Sequence, residues 1–151
     1  MKTNPSILPP VSPISFIGNR EFILSEWRFL LFGLLMAFWS SLGQTFFISL
    51  FSVQIRAALD LSHGDFGTYY ALATTASAIS LIWLGKLADM MRLEKLAIFI
   101  LGSLCGAAIL FSQISSLWML VGGLYLLRMF GQGMMTHVYT TAMARRYVAT
   151  R

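Results

Sequence analysis

Charge is what this sequence has least of. Asp, Glu, Lys and Arg make up 11% of its 151 residues, less than half the ~25% of an ordinary soluble domain. So few charges cannot coat a water-soluble globule, and a disordered chain would need far more polarity. There is one cysteine, Cys105. That excludes an intrachain disulfide and any cysteine-based metal cluster. Proline is confined to Pro5, Pro9, Pro10 and Pro13, so nothing beyond residue 13 carries that helix breaker. What is present is apolar. AVILMFWYC residues reach 57%, with 12 glycines beside them. The length suits a single domain.

The uncharged runs set the architecture. Phe29–Ile55 is 27 residues without a charge, Phe66–Gly85 is 20, Leu96–Leu127 is 32 and Met129–Ala144 is 16. A helix needs about 20 apolar residues to cross a bilayer core. The first two runs fit one crossing each. The third is too long for one and breaks at Gln113-Ile114-Ser115-Ser116. The pattern therefore predicts an all-α membrane protein with four transmembrane helices, at about 29–53, 66–85, 96–114 and 117–142. Residues 1–28 read as a cytoplasmic tail, with Arg20 to Arg28 as an interfacial lead-in. Residues 145–151 read as a cytoplasmic stub. The first apolar run far exceeds the 7–15 residues of a cleaved signal's core.

Basic residues orient the bundle. Lys2, Arg20, Arg28, Lys86, Arg92, Lys95, Arg145, Arg146 and Arg151 fall on one side, and Arg56 alone on the other. Both termini and the middle loop are expected in the cytoplasm, in a multi-pass protein of the plasma membrane (the inner membrane if bacterial). The net charge of +5 is then a topology signal, and nucleic acid is not an expected partner.

Small residues suggest close packing. Gly102-x-x-x-Gly106 lies in the third helix. Gly67, Ala71 and Thr75 share a line in the second, with Ala73 and Ser77 on a neighbouring line. Such spacing lets helix backbones approach in lipid, and packing within one bundle is the expectation. Ser62-x-x-Asp65 has the form of a capping box.

Polar residues within the apolar runs need a reason, because a mid-membrane charge costs ~2.5–3.5 kcal/mol on insertion scales. Arg128 lies about 16 Å into the fourth helix at 1.5 Å per residue. Gln132 follows one turn on, and Tyr125 and Thr136 flank the same face. The first helix carries Ser40, Ser41, Gln44, Thr45 and Ser49, with Ser40 and Gln44 on one line. Arg128, Gln132, Gln44, Ser40 and Tyr125 are the candidates for a solute or coupling pathway. His137 sits about half a turn round the fourth helix from Arg128 on an α-helical period.

The loop Gly85-Lys86-Leu87-Ala88-Asp89-Met90-Met91-Arg92 resembles the signature loop of the major facilitator superfamily, close to G-x-L-x-D-R-x-G-R-K. Gly85, Leu87 and Asp89 match in place. Met90 stands where the family has a base, and Arg92 where it has Gly. Arg128-Met-Phe-Gly131-Gln132-Gly133 is similar to a second motif, R-x-x-x-G-x-G, with the glycines one position early. The resemblance covers about residues 29–146. It implies the first four helices of the N-terminal six-helix half of a 12-helix fold, built from inverted three-helix repeats. It also implies that helices one and four line the cavity. Gly85, Asp89 and Arg92 would belong to a cytoplasmic gate.

The function so implied is the N-terminal portion of a secondary active transporter. It would move a small solute by alternating access, coupled to an ion or proton. Its partners would be that solute, the bilayer and the remaining helices. No phosphate loop, metal cluster or plausible triad suggests an enzyme, and no cofactor is expected. The alternative is a complete four-helix protein acting as an oligomer, either a small multidrug exporter or a non-transport scaffold. Small exporters of that kind use a carboxylate in the first helix, where this sequence has none.

Overall fold

The computed structural model describes residues 20–86 and 90–148. Asp89, expected in the gate, lies outside the described residues, as do residues 1–19 of the tail. The described residues are helical, with no strand among them. The chain divides into two units at the Phe32–Gly33 junction. In the first unit the rings of Phe29 and Phe32 lie 6.2 Å apart.

Helix α1 spans Arg20–Ser40. It starts well before residue 29 because Arg20 to Arg28 is itself helical. A 3-10 turn, Ser41–Gly43, follows. Gln44 is extended (φ −80°, ψ 151°), and α2 then runs Thr45–Leu50 and α3 Ser52–Leu59. The single helix expected over 29–53 is therefore broken at its middle. Asp60 ends α3 in the left-handed region (φ 51°), which Asp tolerates better than most residues. Helix α4 is His63–Leu84. Its capping box forms, with Asp65 N–H donating to Ser62 Oγ and Ser62 N–H donating to Asp65 Oδ2, both at 3.1 Å. The Ser62 hydroxyl, and then its backbone N–H, hold the Asp65 carboxyl below its ordinary pKa.

Helix α5 is Leu93–Ser112 and α6 Leu117–Leu127. The chain continues without a break as a π-helix, Arg128–Met135, and then as α7, Thr136–Val148. The fourth rod therefore runs past residue 142 and takes in Arg145 and Arg146. Among the described residues, two helical stretches are apolar enough by length and composition to cross a membrane, Ile23–Gly43 and Leu93–Ser112.

Contacts fix the directions of the rods. Gly33 approaches Met143 and Gly43 approaches Gly131, so residues 33–43 of the first rod run antiparallel to the fourth. Phe99 meets Phe130 at 6.0 Å and Gly123 meets Phe111, so α5 is antiparallel too. Ser80 meets Tyr125, and Gly85 meets His137, so α4 runs parallel to the fourth rod. The reversals at residues 60–62 and 113–116 take only a few residues, which favours antiparallel neighbours. The fourth rod is the hub. Leu120, Leu124, Leu127, Met134, Met135 and Val138 are all buried along it. Ile48 and Ala73 close one end of the core against Leu120 and Leu124.

The small-residue expectation holds on one line of α4 and fails elsewhere. Ala73 and Ser77 are buried, whereas Ala71 and Thr75 are exposed. A methyl group added at Gly67, Gly102 or Gly106 would meet nothing within 4 Å. The close approach is made by Gly43 and Gly131 instead. A Cβ on Gly43 would stand 2.6 Å from Gln132 N and 2.8 Å from Gly131 Cα.

Candidate functional site

The two irregular stretches of backbone face each other. The first rod breaks at residues 41–44, and the fourth widens into the π-helix at Arg128. They meet at the Gly43–Gly131 crossing. A break in a helix frees backbone carbonyls, and Gly43's carbonyl accepts from Arg128 Nη1 at 3.3 Å. The same nitrogen donates to Thr45 Oγ1 at 3.2 Å. Thr45 Oγ1 in turn shares a hydrogen bond of 2.7 Å with the Tyr70 hydroxyl. The Arg128 guanidinium carbon lies 5.3 Å from the Tyr70 ring centroid, within cation–π range. Arg128, itself on the fourth rod, is thus held by the first and second rods. Among the described residues no carboxylate forms an ion pair with it.

Two open cavities with polar side chains in their walls adjoin this cluster. One, of about 380 Å³, lies between α4 and the fourth rod, and Arg128, Gln132, Thr136 and His137 line it with Thr74 and Ser77. A second, of about 200 Å³, is lined by Thr45 and Tyr70 together with Ser52, Arg56 and His63. Thr45 and Tyr70 both touch Arg128, so the Arg128 cluster stands between the two cavities. A third, of about 490 Å³, is mainly apolar and lined by Phe47, Phe51, Ile55 and Phe111 among others.

Three buried side-chain atoms among the described residues have no hydrogen-bond partner: Thr74 Oγ1, Gln132 Oε1 and Thr136 Oγ1. All three residues line the 380 Å³ cavity. An unpartnered buried polar group costs ~1–3 kcal/mol. The three atoms expose almost no surface of their own, so the cost falls within the walls of this one cavity.

The sequence candidates divide accordingly. Arg128 and Gln132 line the cavity. Tyr125 does not; its hydroxyl donates to Ser80 Oγ at 2.8 Å and ties α4 to α6. Ser40 is buried, and its hydroxyl donates to its own helix at Ala37 O, 2.7 Å away. Gln44 contributes backbone: its N–H donates to Ser41 O and its carbonyl accepts from Ile48 N–H, which shapes the break. The cavity therefore lies between the second and fourth rods, where rods one and four were expected to enclose it.

His137 is a correction of another kind. On an α-helical period it faces away from Arg128, yet both line one cavity. A π-helix bonds i to i+5 and so rotates less per residue than an α-helix. Eight such residues swing His137 round. Thr74 and Tyr70 carried no signal beyond being polar groups in an apolar run. At the expected gate, Gly85 ends α4 near His137. Arg92 pairs with Glu94 at 3.3 Å, both well exposed, and such a pair is worth little.

No family model, curated protein or solved structure matches this chain.

Proposed function

We propose that this chain is the N-terminal part of a secondary active transporter of the major facilitator type. It carries a small solute by alternating access, with ion or proton coupling. The observation that carries this reading is the meeting of two irregular helices at Gly43 and Gly131, with Arg128 held between two polar cavities. Transporters place broken helices where solute and coupling ions bind, because the freed backbone groups and dipoles do the recognition. π-helical stretches recur at functional sites.

In this reading all four rods cross the membrane. The up-down-up-down order agrees with four crossings, and so does the outer surface. Leu34, Phe38, Ile82, Trp83 and Ile98 are each at least 60% exposed. A soluble monomer seldom shows so much apolar surface. Helix α4 carries its charged cap at one end, and the fourth rod carries Arg145 and Arg146 at the other. The protein then resides in the plasma membrane, with both ends of this chain in the cytoplasm. A reporter fused after Arg151 should be cytoplasmic, and one inserted at Ser62 should lie outside. The reverse result would overturn the four crossings.

The test of function is flux. Four rods supply one wall of an alternating-access site, so the 151-residue chain reconstituted in liposomes should insert without carrying solute. The complete transporter should carry it and lose that activity with Arg128→Gln. The open face at Gly102 and Gly106 also suits a second copy of the chain. Saturable, Arg128-dependent flux from the 151 residues alone would favour that four-helix oligomer instead.

A further inference from the structure

We infer that the 380 Å³ cavity binds a small monocarboxylate, which rests on the transport reading for its biological use but not for its chemistry. The guanidinium of Arg128 is the first reason. Both N–H groups of Nη1 are committed, to Gly43 O and Thr45 Oγ1. Nε and Nη2 donate to no described residue. Their N–H groups lie side by side on one edge of a planar fork, the edge that receives both oxygens of a carboxylate.

Charge is the second reason. Arg128 has no carboxylate partner among the described residues, and none lines either polar cavity. Arg128 is only half-buried, and a fixed cation with no carboxylate partner attracts an anion into the cleft beside it. The other potentially basic side chain on the cavity is His137, so the fixed charge suits one negative charge better than two. Arg56 on the second cavity adds a positive mouth that draws anions inward.

Shape and polarity are the third. Thr74, Thr136 and Gln132 give the wall a polar character beside Arg128, with buried polar atoms that no described residue satisfies. Ala78 and Leu81 supply an apolar wall for a short carbon body. The volume falls at the small end of ligand sites, roughly 300–1,000 Å³.

The test uses the chain in phosphatidylcholine nanodiscs and equilibrium dialysis with labelled benzoate. Saturable one-to-one binding is expected, and neither benzamide nor inorganic phosphate should displace it. Arg128→Gln should weaken binding at least ~10-fold, the factor for losing a charge-assisted hydrogen bond. Arg128→Lys keeps the charge without the fork and should fall between the two; it also serves if the Gln variant fails to fold. Equal displacement by benzamide would show that the charge is not read. Equal displacement by phosphate would overturn the assignment to carboxylate. Unchanged affinity in both Arg128 variants would remove the site from this cavity. Benzoate binding without flux in the complete transporter would sink the transport reading and leave the site. Flux without benzoate binding would do the reverse.

Discussion

Replacing Gly43 with valine is expected to cost the chain its folded state. A Cβ at this position would press on Leu127 O, Gln132 N and Gly131 Cα, all of them backbone atoms. Backbone cannot turn aside as a flexible side chain can. Overpacking a core usually costs about 1–3 kcal/mol, and here two rods must separate to relieve it. The separation also breaks the Arg128 bonds to Gly43 and Thr45. The loss should therefore exceed ~3 kcal/mol, out of a total stability of ~5–15 kcal/mol for a domain. Thermal unfolding of the detergent-solubilised chain, read by circular dichroism, measures it. Gly106→Val is the matched control. Nothing lies within 4 Å of its added carbon, so its midpoint should stay near that of the parent. Equal stability of the two variants would mean that the Gly43–Gly131 crossing is not a constraint.

The contrast between these glycines shows what a sequence can and cannot carry. Gly102-x-x-x-Gly106 has the spacing that lets helices pack, and spacing is visible in a sequence. Whether a partner meets that face depends on where the other rods stand, which spacing does not encode. Gly43 and Gly131 have no such repeat. They matter because two chain segments 88 residues apart arrive at the same point. The rods themselves were legible, because helix length and turn position follow from uncharged runs and from residues such as Ser62, Asp65 and Ser116. Their ends were less so, since Arg20 to Arg28 is helical despite its charges.

The site was half legible for the same reason. Arg128 and Gln132 stand out because a charge and an amide in an apolar run are expensive. The π-helix does not stand out. Arg-Met-Phe-Gly-Gln-Gly-Met-Met contains two residues of weak helix propensity, but glycine alone does not specify i to i+5 bonding. Part of what holds it is tertiary: the Arg128 bonds to the first rod and the Gly131 crossing. Once the period changes, a face drawn on an α-helical wheel is wrong by His137. Ser40 and Gln44 stand apart from this cavity for a local reason: the Ser40 hydroxyl bonds Ala37 O in its own helix, and the Gln44 backbone N–H bonds Ser41 O at the break.

The second large effect separates a binding role from a structural one on a single cavity wall. Thr136 and Thr140 both line the 380 Å³ cavity. Thr140 Oγ1 donates to Thr136 O at 2.7 Å and lies 3.1 Å from His137 O. Thr136 Oγ1 is buried with no partner. Valine has nearly the shape of threonine without its hydroxyl. Thr140→Val should therefore lose a made bond and cost about 0.5–1.5 kcal/mol, with carboxylate binding little changed. Thr136→Val removes a buried group that bonds to nothing in the chain. Its stability should hold or rise by up to ~1 kcal/mol, since the desolvation penalty goes with the hydroxyl. Benzoate affinity should fall about tenfold if that hydroxyl turns into the cavity to meet a guest. Stability gained as binding is lost is the mark of a residue kept for function at a cost to the fold. Thermal midpoints and dialysis on the two purified variants decide the matter. A Thr136→Val chain that is less stable and binds benzoate as the parent does would place the hydroxyl in the architecture and not in the site.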